Sequence, residues 1–124
     1  MSTIKVGTLL AADGSTTTQP SIPALDKRMA KAWVNFNSVG TLTIQDSYGV
    51  SSVTDTNVGN FVVNLTNAVA NTTYSVSVSN NYVSNSGYVN TILSLNTGSF
   101  GMYLIKPLVG HADTSINTAV VFAS

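Results

Sequence analysis

From residue 32 onward the chain alternates apolar and polar residues with a period of two, in short spans that recur about every ten residues. In Ala32–Asn37, the residues Ala32, Val34 and Phe36 alternate with Trp33, Asn35 and Asn37. Leu42 and Ile44 alternate with threonines and Gln45, and Phe61, Val63 and Leu65 with Val62, Asn64 and Thr66. Tyr74, Val76 and Val78 are separated by Ser75 and Ser77, the cleanest case in the chain. Val89, Thr91, Leu93 and Leu95 are expected to share one face of a later strand. Val50 and Val53 mark a short strand, and the runs 100–105 and 116–122 are dense enough in apolar residues to be central. A period of two places successive side chains on opposite faces of a sheet, so each span buries one face. No helical period survives past residue 32.

Turn residues punctuate the spans, at Ser38–Gly40, Asp55–Gly59, Asn67–Thr72, Asn80–Gly87, Asn96–Gly98 and Pro107–Ser115. Short strands at this spacing predict an all-β fold: an antiparallel β-sandwich, jelly-roll-like, of about seven or eight strands. Sixteen valines and sixteen threonines favour the same pleated surfaces.

The first thirty residues read differently. Ile4, Val6, Leu9 and Leu10 are the only large apolar residues before a turn at Asp13-Gly14 and a Ser/Thr run. Pro20 and Pro23 favour extended backbone around them, and residues 24–32 have room for one or two helical turns. Too few large apolar residues are present for a core. Residues 1–30 are therefore expected to form an arm, able to span about 100 Å when fully extended, and residues 31–124 a knob domain.

Charge narrows the partners. Five basic and five acidic residues cancel, and only 8% of the chain is charged, against about 25% in an ordinary domain. The one basic group, Lys27, Arg28 and Lys31, has Asp26 beside it, so electrostatic binding of nucleic acid is not expected. No apolar run approaches the ~20 residues that cross a bilayer. The apolar stretch after Lys5 is broken by Gly7 and Thr8, which is unlike a signal peptide; synthesis in the cytoplasm is expected. Uncharged edge strands associate unless something closes them, which points to a defined homo-oligomer.

Catalytic and metal constellations are sparse. There is no cysteine and no glutamate, and His111 is the single histidine. His111-Ala112-Asp113 is the one close His/acid pair, and it reads as a polar loop. Metal binding would need aspartates from distant loops, and no Gly-x-Ser-x-Gly elbow supports a nucleophilic serine. Asp13, Asp26, Asp55 and Asp113 fall in expected turns or in the arm, where aspartate serves local hydrogen bonding. No catalytic residue, metal ligand or cofactor is expected. The aromatic residues offer more. Trp33, Tyr48, Tyr74, Tyr82, Tyr88 and Tyr103 suit a sugar-stacking or protein-contact surface. The stretch Asn80–Tyr88 has the Tyr/Ser/Asn/Gly composition of adaptable recognition loops.

Residues 30–78 resemble a module of bacteriophage virion fibres and tail-fibre-like proteins. The matching pieces are Lys31-Ala32-Trp33-Val34-Asn35-Phe36-Asn37, Gly40-Thr41, Ser47-Tyr48, Val50-Ser51-Ser52-Val53-Thr54-Asp55, Gly59, Asn64 and Tyr74. The opening Thr3–Leu10, followed by Asp13-Gly14, is similar to the short start of such proteins, and residues 80–124 match less clearly. The resemblance implies a non-enzymatic, usually trimeric β knob on a virion. The short arm, in place of a long shaft, favours a compact fibre or a capsid decoration. The expectations that follow are a homotrimer bound to other phage virion proteins of capsid or tail, with a host-surface glycan as a further partner. Ile4, Val6, Leu9 and Leu10 are expected to make the virion attachment. Trp33, Phe36, Phe100 and Phe122 are expected to make the oligomer contacts, and Tyr82, Asn85 and Tyr88 the receptor recognition. A cement protein clamping the phage head and a free carbohydrate-binding module are the alternatives.

Overall fold

The alternating spans pair into two antiparallel sheets that enclose one apolar layer. The computed structural model describes residues 2–16, 22–81, 89–106 and 110–123. Its strands are β1 (Ala32–Asn37), β2 (Thr43–Tyr48), β3 (Val50–Asn57), β4 (Asn60–Leu65), β5 (Ser75–Asn80), β6 (Val89–Asn96), β7 (Ser99–Lys106), β8 (Gly110–His111) and β9 (Asn117–Phe122). One sheet runs β2-β1-β9-β5; the other runs β3-β4-β7-β6, with β8 pairing β7. The expected β-sandwich is thus the fold. β5 pairs with β9 in one sheet while β6 pairs with β7 in the other, so the chain changes sheets between β5 and β6. The β1–β2 and β3–β4 pairs are local hairpins.

The core is drawn from the inward positions of the central strands. Val34 and Phe36 of β1 and Ala119 and Val121 of β9 face Phe61 and Val63 of β4 and Phe100 and Met102 of β7. Phe36 and Phe61 meet edge to face across the layers, with ring centroids 5.1 Å apart and planes at 75°; such a pair adds about 1 kcal/mol to its area burial.

Two glycines make the tight connections. Gly49, at φ 67°, is the single residue by which the chain leaves one sheet and enters the other between β2 and β3. A Cβ there would lie 2.7 Å from the Lys31 carbonyl oxygen. Gly59, at φ 64°, turns β3 into β4, and a Cβ would meet the Ala112 backbone at 2.6 Å.

Some local expectations shift. The strand marked by Val50 and Val53 extends to Asn57, which moves Asp55 from a turn into β3. In β6 the register slips between Ile92 and Ser94. Val89, Thr91 and Leu93 share the outward face, Leu93 lying over Gly101, and the bulge after Ile92 turns Leu95 inward, so Leu95 does not share their face. Among the described residues of the first thirty, helix is limited to α1 (Pro23–Asp26), with proline at its start. Among the described residues, no helix is long and apolar enough to cross a membrane.

Candidate interaction surfaces

In the arm, residues 2–10 belong to no helix or strand and carry their apolar side chains on the outside. Ile4 is 87% exposed, Leu9 62% and Val6 59%, and Leu10 is exposed as well. The expected turn follows: the Gly14 amide donates to the Ala11 carbonyl at 2.8 Å, and the Ser15 amide to Asp13 Oδ1 at 2.8 Å. Downstream, the Lys31 amide donates to the Val121 carbonyl at 2.8 Å and sets the chain into β1. The arm therefore joins the sandwich at the start of β1. β5 runs parallel to β1, since both are antiparallel to β9. The chain consequently leaves β5, at Asn81, on the opposite end of the sandwich. The expected recognition residues Tyr82, Asn85 and Tyr88 follow Asn81 and lie outside the described residues.

The outer face of the β2-β1-β9-β5 sheet carries an apolar patch. Trp33 lies directly across from Tyr48 on one side and Val120 on the other, and Phe122 follows on the same face of β9. Trp33 is 36% exposed and Phe122 38%, which leaves both able to meet a neighbour. Asn35 and Asp46 form the next cross-strand pair beside Trp33 and Tyr48. The expected oligomer contacts Phe36 and Phe100 need correction. Both are fully buried within the chain's own core and have no surface to offer a neighbouring subunit. The alternation separates Trp33 from Phe36 by an odd number of positions, so the two residues face opposite sides of the sheet.

His111, expected in a loop, lies in β8, and Ala112-Asp113 after it work as a structural clasp. Asp113 Oδ1 accepts the Gly59 amide at 2.8 Å, which holds the β3–β4 turn. The Leu104 amide reaches the Gly59 carbonyl at 2.8 Å from the other side. Next to this clasp lies a buried polar cluster that the sequence did not reveal. Ser38 and Asn117 are fully buried, and Thr114 is nearly so. The Thr114 amide donates to Ser38 Oγ at 3.0 Å, and Ser38 Oγ donates to the Thr114 carbonyl at 3.1 Å. Asn117 Nδ2 reaches the Thr114 carbonyl at 3.1 Å and the Phe36 carbonyl at 3.3 Å, while its Oδ1 accepts from Thr114 Oγ1 at 2.7 Å. The signal available was an asparagine at an inward position of β9, where alternation calls for an apolar side chain. A cluster so fully satisfied by its own members fastens loops to strands. Among the described residues, no group of three or more His, Cys, Asp or Glu is placed to hold a metal ion.

Tyr74 fastens the other end. Its hydroxyl donates to the carbonyl of Asn96 at 2.7 Å and also lies 3.1 Å from that of Ser99. Burial raises its pKa above the ordinary value of 10, opposed by the hydrogen bond to Asn96. It is therefore a structural tyrosine and is not available for stacking on a sugar. Comparison with protein-family models, with curated proteins and with solved structures returns no match.

Proposed function

We propose that this chain is a non-enzymatic structural protein of a bacteriophage particle: a short trimeric fibre whose arm holds a β knob to the virion and whose knob adheres to the host surface. The observation that carries the reading is the polarity of the molecule. The apolar arm joins one end of the sandwich, and the chain enters its Tyr/Asn/Ser-rich stretch at the other. An attachment segment that joins one end, and a chain that leaves β5 at the other, suit a projection from a shell. The resemblance of residues 30–78 to virion fibre modules points the same way, as do exposed Trp33 and Phe122 on the outer face of the β2-β1-β9-β5 sheet. Three copies about one axis would present each weak recognition loop three times and raise avidity. The test is to locate the chain on intact particles by labelled antibody and to remove residues 1–30. Discrete projecting knobs, lost on deletion of the arm, support the fibre. A uniform coat over the head that persists without the arm identifies a cement protein instead.

A second reading has one observation of its own. Trp33 and Tyr48 are cross-strand neighbours on an open face, with the polar pair Asn35 and Asp46 beside them, an arrangement on which a sugar ring can stack. A carbohydrate-binding module built on that face would bind glycan as a monomer. Glycan-array binding by a monomeric species, abolished by W33A, would establish it.

A further inference from the structure

The four outer strands of the sandwich are not equally protected. β2 contains Asp46 and is bulged against β1. β3 contains Asp55 and slips register twice against β4. β6 is uncharged but bulged against β7. β5, Ser75-Val76-Ser77-Val78-Ser79-Asn80, has no charge, no proline and an unbroken register against β9. Charges, prolines and bulges are what keep an edge strand from pairing with another chain. β5 has none of these, and among the described residues no strand pairs with its other side.

The same molecule contains a segment suited to that edge. Thr3-Ile4-Lys5-Val6-Gly7-Thr8-Leu9-Leu10 has Ile4, Val6, Thr8 and Leu10 at alternate positions, with no proline and a single charge. It is exposed and belongs to no strand of its own chain. Twenty-one residues separate Leu10 from β1, enough to span roughly 70 Å when extended. We infer that residues 3–10 of one chain add as a fifth strand to the outer edge of β5 in a second copy. Ile4 and Val6 then extend the inward row of Val76 and Val78, and Lys5 lies outside beside the serines. Main-chain hydrogen bonds supply the affinity and the alternate apolar side chains supply the register, as in other strand-addition complexes. The contact is head to tail, the kind that closes three copies into a ring when successive copies are related by a threefold rotation. The inference rests on the trimer of the fibre reading and names what joins its subunits: residues 3–10 engage a sister knob, and the part of the arm after Leu10 is left for the virion.

The chain has no cysteine, so introduced thiols are the only ones present. Full-length K5C and S77C, both on the outward face in this register, would be co-refolded as a mixture and treated with a short bismaleimide. The expected result is a cross-linked pair that needs both variants, together with loss of the trimer to a monomer of unchanged far-UV circular dichroism when residues 2–10 are deleted. Cross-linking of S77C alone would mean that β5 pairs with β5 of another copy, and overturns the inference. So does a deleted protein that stays trimeric. If that trimer also fails to enter particles, the fibre reading stands and only the strand exchange falls. A full-length chain that is monomeric in light scattering at micromolar concentration removes both.

Discussion

Asn117 donates from Nδ2 to Ser38 Oγ at 3.2 Å, across 79 residues of sequence, and both side chains are fully buried. This bond ties the start of β9 to the end of β1 and draws the preceding loop against both. The same amide nitrogen also serves the Phe36 and Thr114 carbonyls. Replacing Asn117 with alanine leaves several buried polar groups without a partner. The expected loss is about 2–3 kcal/mol of unfolding free energy, read from urea denaturation. Aspartate at this position should also destabilise, because it offers no donor to the carbonyls and introduces a buried charge.

Tyr74 links stability to alkaline pH. Its folded pKa is raised above 10, so the native state keeps the phenolic proton where the unfolded chain releases it. Stability should fall as pH rises above 10, with a slope of the sign required when the native state binds more protons. Y74F should lower stability at neutral pH by about 1 kcal/mol through the lost hydrogen bonds. It should also remove this residue's share of the alkaline decline. Urea midpoints at pH 8 and pH 11 for both proteins provide the check.

Glycine is required at position 59 by geometry and not by composition. A Cβ there meets Ala112 backbone atoms at 2.6 Å and the Leu104 carbonyl oxygen at 2.8 Å, and φ is 64°. G59A should cost on the order of 3 kcal/mol, because rigid backbone must move and the residue is strained as well. Gly98, also in a turn, has nothing within 4 Å of its Cβ position. G98A should stay within about 0.5 kcal/mol of the parent. Thermal melts of the two variants separate the cases.

The two faces of β1 should respond differently to truncation. F36A opens the core where Phe61 packs and should cost about 3–5 kcal/mol. W33A removes cross-strand contacts with Tyr48 and Val120 on the outer face, worth about 1 kcal/mol or less. On the fibre reading, its main effect is a shift of the assembly toward smaller species. Denaturation and light scattering on the same samples distinguish loss of folding from loss of association.

The sandwich was legible because period-two alternation is a local property that survives without tertiary information. Val34 and Phe36, Phe61 and Val63, and Ala119 and Val121 all lie inward as such alternation requires. The bulge in β6 was not legible, because one slipped residue in the pairing moves Leu95 to the opposite side from Leu93 without any local sign. The polar cluster of Ser38, Thr114 and Asn117 was hidden for a similar reason. Its members are remote in sequence, and each resembles the many exposed serines, threonines and asparagines around it.

Periodicity and charge, read along the chain, were enough for the all-β class and the near-cancelling charge. Which aromatic residues are buried depended on the second sheet. Alternation separates Trp33 from Phe36, but it does not say which side another sheet will cover. Phe36 is interior because Phe61 and Phe100 close over it, and Trp33 is exposed because no described element of its own chain packs on that side. Burial is a relation between segments distant in sequence, and a residue's local pattern specifies only one half of it.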